Sequence, residues 1–194
     1  MMAEVRTIAV IGAGTIGRSI AQLSALGGFQ TILEDILPAS LRQAETEIRG
    51  ALDQAVERGA INRAAADAAL ARVEYASSVE QAARAADLVI EAVPDEMESK
   101  IEIFTLLDKV ARPATILASN TSSFTVTELA SVTYRANKIL GMRFGVPLGE
   151  MKALEIVRGQ ETDDETVAAC AEAGRRMGQK VVVTADARRV ILPR

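Results

Sequence analysis

Short runs of β-branched and apolar residues alternate with longer segments of helical periodicity, and this alternation restricts the fold more than any other feature. The runs that predict strands are residues 7–11, 31–33, 88–90, 115–117, 138–140, 154–157 and 181–183. Between the first two, Ile16, Ile20 and Leu23 recur at helical spacing. Strands that alternate with helices form a mostly parallel sheet covered on both faces. The sequence therefore predicts an α/β protein with a doubly wound, mostly parallel sheet.

A long segment after the second predicted strand carries no strand signal. Residues 38–72 are rich in Ala, Glu and Arg, and Pro38 suits the first turn of a helix. We therefore expect an inserted pair of helices there. Two pairs of residues later in the chain have the spacing of capping boxes that start helices, namely Thr125 with Glu128 and Thr162 with Glu165.

The turn after the first predicted strand has the glycine spacing of a phosphate-binding loop. Gly12, Gly14 and Gly17 follow residues 7–11 and open a helix. The first glycine permits the tight turn, the second the close approach of a pyrophosphate, and the third close helix–strand packing. The next strand ends at Glu34 and Asp35, about 20 residues on, where a carboxylate would hold the ribose hydroxyls. Glycines also serve ordinary turns, but this context favours a dinucleotide site, and an acid without a nearby arginine favours NAD over NADP.

The composition excludes several classes of function. The chain has 194 residues, a net charge of −4, no histidine, a single cysteine and 3% aromatic residues. This fits a single domain and argues against a nucleic-acid partner. Without histidine there is no His-based metal site or Ser-His-Asp triad. Any catalysis by this chain would therefore depend on carboxylates, hydroxyls, Lys, Arg or a bound cofactor. No apolar run approaches the ~20 residues of a membrane span and no signal peptide stands out, so we expect a cytoplasmic protein without a metal centre.

Four motifs occur in the order typical of one enzyme family. They are residues 10–17, residues 87–94 with Lys100, residues 118–123 and residues 151–157. In this order they resemble the NAD-binding domain of the 3-hydroxyacyl-CoA dehydrogenases over nearly all of residues 5–186. The resemblance implies a Rossmann-type NAD-binding domain at residues 1–186, a tail at 187–194, and an inserted helical pair at 38–72 that lies over the acyl-CoA.

The resemblance also implies roles for individual residues. Asp35 matches the acid at the adenosine ribose, Asp95 stands where the family usually has a Glu near the nicotinamide ribose, and Lys100 matches a lysine that contacts the cofactor. Ser122 matches the serine that hydrogen-bonds substrate oxygen and cofactor, and Arg58 falls where a lysine helps hold CoA. The implied cofactor-binding residues are Gly12, Gly14, Thr15, Ile16, Gly17, Asp35, Ala92, Val93, Asp95, Lys100, Asn120 and Ser122.

The same residues have simpler interpretations when the family is set aside. Asp95 and Lys100, five residues apart near a helix start, are equally typical of a solvated surface pair. Ser122 belongs to a cluster of Ser, Thr and Asn residues of the kind that usually forms turns and caps. Arg58 lies in an exposed helical stretch, where most arginines are merely solvated.

The chain departs from the family pattern at the catalytic position. Where the family has a catalytic histidine and, three residues later, an asparagine, this chain has Arg143 and Val146. Glu155 matches the carboxylate that orients the histidine. An arginine is always protonated and cannot accept the hydroxyl proton, although it can polarise a carbonyl, clamp a carboxylate or pair with Glu155. The candidate catalytic residues are Ser122, Arg143 and Glu155, with Ser122 and Arg58 as candidate contacts for an acyl-CoA substrate.

A second departure follows Asp186, where the family continues into a second, helical domain and this chain has only residues 187–194. The C-terminal helical domain of the family is therefore absent from this sequence. We expect a cleft open on one side, and apolar surface at the domain junction that favours a homo-oligomer.

Three functions remain open. The first is an NAD-dependent 3-hydroxyacyl-CoA dehydrogenase, impaired by the loss of the histidine and of the helical domain. The second is a non-catalytic NAD-binding module. The third is a dehydrogenase of a hydroxy acid, similar to the gulonate type, whose substrate carboxylate Arg143 would hold.

Overall fold

The sheet is the frame of the molecule. The computed structural model describes residues 4–145 and 152–186, and within them an eight-stranded sheet has the order β3-β2-β1-β4-β5-β6-β7-β8. Its strands are β1 Thr7–Ile11, β2 Gln30–Glu34, β3 Val73–Ala76, β4 Leu88–Glu91, β5 Ile116–Ser119, β6 Ile139–Phe144, β7 Ala153–Arg158 and β8 Lys180–Ala185. Only the β6–β7 pair is antiparallel. The predicted mostly parallel α/β fold is confirmed.

Helices connect nearly all the strands. They are α1 Thr15–Leu26, α2 Pro38–Glu57, α3 Arg63–Leu70, α4 Val79–Ala85, α5 Met97–Val110, α6 Val126–Ala130 and α7 Asp164–Arg176, with a short 3₁₀ turn at Ala136–Lys138. The inserted pair predicted at 38–72 is present as α2 and α3. The sequence analysis missed β3 and α4, which follow this pair.

Apolar side chains cover both faces of the sheet. On one face, Ile20 of α1, Ile48 of α2 and Cys170 of α7 belong to a single buried cluster with the strands. On the other face, Phe104 of α5 and Leu129 of α6 belong to a second cluster. Burial on both faces explains why the central strands form almost continuous apolar runs.

The capping boxes predicted from the sequence differ in outcome. Thr125 and Glu128 form the expected reciprocal box at the start of α6. The box at Thr162 is wrong, because α7 is capped one residue later by Asp163, whose carboxylate accepts the backbone N–H of Thr166 at 2.7 Å. The hydroxyl of buried Thr162 instead donates to the carbonyl of Ile139 at 2.5 Å. The same hydroxyl oxygen accepts the backbone N–H of Gly159 at 2.9 Å, so Thr162 serves the turn before α7 and not the helix itself.

The strand order produces a crevice at one edge of the sheet. From β1 the chain runs outward to β2 and β3, then crosses back to β4 on the other side of β1. In open α/β sheets, ligands bind at the carboxyl ends of strands where the order reverses in this way. The antiparallel β7 brings its first residues beside the last residues of β6, with Arg143 opposite Glu155. The candidate catalytic residues therefore lie at the same edge as the glycine turn.

Candidate cofactor and substrate site

A cavity of about 920 Å³ lies at the carboxyl ends of the central strands. Its lining includes nearly all of the predicted site residues. Those that line it are Gly12, Gly14, Thr15, Ile16, Asp35, Ala92, Val93, Asp95, Lys100, Asn120, Ser122 and Arg143. The structure thus gathers in one crevice side chains and turns that are separated by more than a hundred positions in the chain.

In the glycine turn, Gly12 and Gly17 pack closely against the protein, whereas Gly14 faces open space. Gly12 has a φ of 101°, a conformation that favours glycine, and its N–H donates to the carbonyl of Glu34 at 2.8 Å. A Cβ at Gly17 would overlap the carbonyl oxygen of Gly12, so this glycine permits the close packing of α1 on the turn. A Cβ at Gly14 would meet no atom within 4 Å. Gly14 therefore borders open space at the N-terminus of α1.

This geometry fits a dinucleotide. The first turn of α1 contains no acidic residue, and its backbone N–H groups, which lack intrahelical partners, are suited to bind a pyrophosphate. Asp35 follows β2, and its carboxylate is fixed by the backbone N–H groups of Ala13 and Leu37, each at 2.9 Å. A carboxylate fixed beside the glycine turn is placed to accept hydrogen bonds from ribose hydroxyls.

Lys100 is not the surface residue that the simpler interpretation suggested. Only 1% of its side chain is exposed, and its Nζ lies 2.8 and 2.9 Å from the two carboxylate oxygens of Glu91. Glu91, at the end of β4, is also buried; it accepts the hydroxyl of Ser119 at 2.6 Å and the backbone N–H of Val93 at 2.8 Å. A solvated surface pair is therefore wrong, because Lys100 belongs to a buried network that fixes the turn after β4.

Asp95 extends the same network to the cavity surface. Its carboxylate accepts the hydroxyls of Thr121 at 2.7 Å and Ser123 at 2.6 Å, and the Lys100 ammonium lies 3.4 Å away. Partial burial opposes ionisation of Asp95, but the two hydroxyls and Lys100 outweigh it and lower the pKa of this carboxyl. Asp95 is thus held as a carboxylate and bridges the turns that follow β4 and β5.

The turn after β5 carries Asn120 and Ser122. Asn120 accepts the backbone N–H of Phe144 through its side-chain oxygen at 3.3 Å, which ties this turn to β6. Ser122 is exposed and lines the cavity beside Arg143. Its hydroxyl is therefore accessible to a small molecule in the crevice.

Arg143, which the family resemblance predicts to stand in place of a catalytic histidine, lies near the end of β6. Its Nε donates to the carbonyl of Thr121 at 2.7 Å, and its Nη1 lies 3.5 Å from Oε2 of Glu155. Glu155 in turn accepts the hydroxyl of Thr184 at 2.9 Å. The pairing of Arg143 with Glu155 expected from the sequence is present, and 12% of the arginine side chain remains exposed. Val146, the other predicted departure, lies outside the described residues.

Arg58 is the candidate site residue that the structure separates from the others. It is exposed at the C-terminal end of α2 and does not line the cavity. The sequence analysis assigned no separate role to four polar residues in or beside the site, namely Glu34, Glu91, Ser119 and Thr121. All four are buried, and the available signal was a polar residue at or just after the end of an apolar run.

Comparison with known proteins agrees with this geometry. The model of the 3-hydroxyacyl-CoA dehydrogenase NAD-binding domain matches residues 7–187. A probable 3-hydroxybutyryl-CoA dehydrogenase of Bacillus subtilis is 35% identical, with 98% of this chain and 68% of that protein covered. A 3-hydroxyadipyl-CoA dehydrogenase of Escherichia coli is 36% identical, with 94% of this chain and 38% of that protein covered.

A solved structure extends the similarity to three dimensions. The (S)-3-hydroxybutyryl-CoA dehydrogenase of Ralstonia eutropha has a TM-score of 0.91 and 33% identity, with 95% of this chain and 65% of that chain covered. Within the described residues, no helix has the length and apolar character needed to cross a membrane. On its sequence, its fold and its glycine turn, the chain belongs to the 3-hydroxyacyl-CoA dehydrogenase family and carries the NAD-binding domain of that family.

Proposed function

We propose that this chain binds NAD(H) in the crevice and that its dehydrogenase activity on 3-hydroxyacyl-CoA is strongly impaired. The observation that carries the proposal is Arg143, held between the carbonyl of Thr121 and the carboxylate of Glu155 at the position of the catalytic histidine. The binding half of the site has the features that a dinucleotide needs. The proton-transfer half lacks an acceptor at that position.

The impairment follows from the proton balance of the reaction. The crevice would hold NAD as the acceptor of a hydride from the carbon that bears the 3-hydroxyl group, and the hydroxyl proton would need a protein base whose pKa lies near the working pH. Arginine stays protonated at every physiological pH, so Arg143 cannot be that base. Ser122 still offers a hydroxyl to the substrate oxygen. The chain therefore retains the positioning of the substrate and loses most of the proton transfer.

Glu155 is the first candidate for a replacement base. It faces Arg143 across the β6–β7 pair and accepts the Thr184 hydroxyl at 2.9 Å. Its Oε2 lies 3.5 Å from Nη1 of Arg143, so a substrate hydroxyl would compete with Arg143 and Thr184 for this carboxylate. Slow turnover through Glu155 is therefore the most activity that we expect from the unmodified chain.

A second candidate function uses Arg143 directly. Its guanidinium lines the cavity beside Ser122, and the contacts to Thr121 and Glu155 use only Nε and Nη1 of its five N–H donors. A substrate with a carboxylate, such as a hydroxy acid, would be clamped there by charge-assisted hydrogen bonds. Inhibition of NADH binding or turnover by simple hydroxy acids, lost in Arg143→Met, would favour this function over the first.

The proposal also covers the substrate, the oligomeric state, the metabolic role and the location of the protein. An acyl-CoA partner is inferred from the relatives, which are named for activity on CoA thioesters. A homo-oligomer, a place in fatty acid metabolism and a cytoplasmic location stay predictions. Exposed Val182 and Val183 on the edge strand β8 support association. Sedimentation of a monomer at micromolar concentration would contradict the homo-oligomer.

Two measurements on the purified chain test the proposal. Calorimetric titration with NADH should give saturable binding, and Gly14→Val should abolish it. Oxidation of NADH with acetoacetyl-CoA should then be very slow in the same preparation. Binding without turnover supports a non-catalytic NAD-binding module, robust turnover refutes the impairment, and the absence of binding refutes the cofactor assignment itself.

A further inference from the structure

A buried carboxyl group lines the cavity next to the carboxylate assigned to the ribose. Glu34 is the last residue of β2, is only 3% exposed, and borders the cavity with Asp35. Among the residues that the structure describes, no group donates a hydrogen bond to its side chain. A buried carboxyl group without a donor is costly unless a ligand supplies the missing hydrogen bonds.

The surroundings of Glu34 suit a flat aromatic ring. Ile36 and Leu37 follow β2 and are 80% and 59% exposed, an unusual state for large apolar side chains beside a cavity. Val79 at the start of α4 and Ile103 in α5 contribute further apolar surface to the same cavity. A lining of apolar side chains with a few polar groups matches the general form of a small-molecule site.

We propose that the carboxyl group of Glu34 recognises the adenine ring of NAD through its 6-amino group and the ring nitrogen N7. This inference rests on the proposed binding of NAD in the crevice. A protonated carboxyl group donates its O–H to the ring nitrogen and accepts the amino N–H through its carbonyl oxygen. The same complementarity lets a glutamine side chain bind adenine in a bidentate manner. The ionised form lacks the donor and would face the lone pair of the ring nitrogen.

The groups around Glu34 favour the protonated form. Burial is the main cause, and the negative charges of neighbouring Asp35 and of Glu80 on α4 add to it, so that the pKa of Glu34 rises to about 7. Its register neighbours, Ile11 on β1 and Ala76 on β3, carry no charge. Because the proposed contact needs the proton, affinity for NAD should fall as the pH rises through 7, and bound NAD should raise the pKa of Glu34 further.

The test compares two dinucleotides that differ at one position of the base. NAD and nicotinamide hypoxanthine dinucleotide, in which an oxo group replaces the 6-amino group, are titrated calorimetrically into the whole chain at pH 6 and pH 8. We expect the unmodified chain to prefer NAD by about tenfold at pH 6. At pH 8 the affinity for NAD should be lower than at pH 6, because ionised Glu34 has no O–H to donate to N7.

Two variants separate recognition from ionisation. Glu34→Gln should keep the preference at both pH values, because an amide has a donor and an acceptor and does not titrate. Glu34→Val should bind both dinucleotides equally at both pH values. Glu74→Gln, which changes an exposed carboxylate on the neighbouring strand β3, is the matched control and should keep the preference at pH 6.

Each outcome gives a decision. Equal affinity of the unmodified chain for the two dinucleotides at pH 6, or an undiminished preference in Glu34→Val, overturns the role of Glu34 while the binding of NAD stands. Failure of the unmodified chain to bind either dinucleotide contradicts the cofactor assignment on which the inference rests.

Discussion

The two ends of the crevice differ in the kind of protein group that they present to a ligand. At the adenosine end, the turn between β1 and α1 presents backbone N–H groups and the space beside Gly14, and Asp35 is the main side chain involved. At the substrate end, the proposed chemistry depends on the side chains of Ser122, Arg143 and Glu155. Binding that relies on backbone tolerates many substitutions, whereas proton transfer depends on the identity of a single residue. Under the proposed function, this difference explains how one chain can retain the cofactor site of its family and lose the base.

The buried network between the two ends belongs to the retained part. Lys100 holds Glu91, and Asp95 joins the turns after β4 and β5. Removing one member of such a buried pair is costly, because the other charge is left without compensation. Arg143 meets this network at Thr121, whose backbone carbonyl accepts Nε of Arg143 while its hydroxyl donates to Asp95, so the two contacts use different atoms of Thr121.

Restoring the base should produce the largest effect. Arg143→His should raise the rate of NADH oxidation with acetoacetyl-CoA by about 10²- to 10⁴-fold, the usual value of general acid–base assistance. Val146→Asn, outside the described residues, should add a polar contact. Because both groups act on the same ligands, the double variant should exceed the product of the single ones.

A control for this gain lies in Ser122. Ser122→Ala in the Arg143→His background should remove much of the restored activity and leave NADH binding nearly unchanged. Equal turnover by the parent and by Arg143→His would show that position 143 does not limit the reaction.

The second prediction concerns a variant that disrupts cofactor binding at the adenosine end. Gly14→Val should weaken NADH binding by more than about a hundredfold, since its side chain would occupy the space where a pyrophosphate approaches. The melting temperature should hardly change, because a Cβ at this position meets no atom within 4 Å. Gly17→Ala should have the opposite effect on stability, because its Cβ would overlap the Gly12 carbonyl. Thermal melting of this variant should show a large loss of stability. A Gly14→Val variant that binds NADH normally would refute the phosphate site.

The third prediction is smaller and concerns the ribose. Asp35→Ala removes a charged hydrogen-bond acceptor, which is worth about 1.5–3 kcal/mol and corresponds to a roughly ten- to hundredfold weaker affinity for NADH. The carboxylate also holds the N–H groups of Ala13 and Leu37, so Asp35→Asn serves as a control that keeps an acceptor oxygen for the turn. An unchanged dissociation constant in Asp35→Ala would overturn the assignment of the ribose carboxylate.

The sequence predicted best those features that depend on local pattern. The glycine turn, the strand at Thr7–Ile11 and the inserted helices leave a signal within a few consecutive residues. The strand at Val73–Ala76 was missed because it is a short edge strand with no fully buried residue, and its composition resembles a loop. An edge strand needs little apolar periodicity to pair with one neighbour.

Contacts between residues distant in the sequence could not be predicted from local sequence pattern. Glu91 and Lys100 are nine positions apart, and only the packing of α5 on the sheet shows that their charges are buried together. Similarly, Glu34 stands beside Asp35 in the sequence, and nothing in its neighbours indicates which of the two carboxyl groups faces solvent. Burial of a charged residue is a property of the tertiary structure, and its cost becomes visible only there.

The last prediction uses that cost to compare Glu34 with an ordinary carboxyl group. In the unfolded chain a glutamate loses its proton near its usual pKa of 4.5, whereas in the folded chain the pKa of Glu34 is about 7. Between these values the folded state binds more protons than the unfolded state, so stability falls as the pH rises and levels off above 7. From pH 6 to pH 8 this group should cost the parent about 1 kcal/mol, or roughly 2–4 °C in melting temperature. Glu34→Gln does not titrate, so its melting temperature relative to the parent should increase by that amount between pH 6 and pH 8, measured without cofactor. A constant difference at the two pH values would mean that Glu34 titrates as an ordinary surface carboxyl group, and the adenosine end would then hold no pH-sensitive residue of this kind among those described.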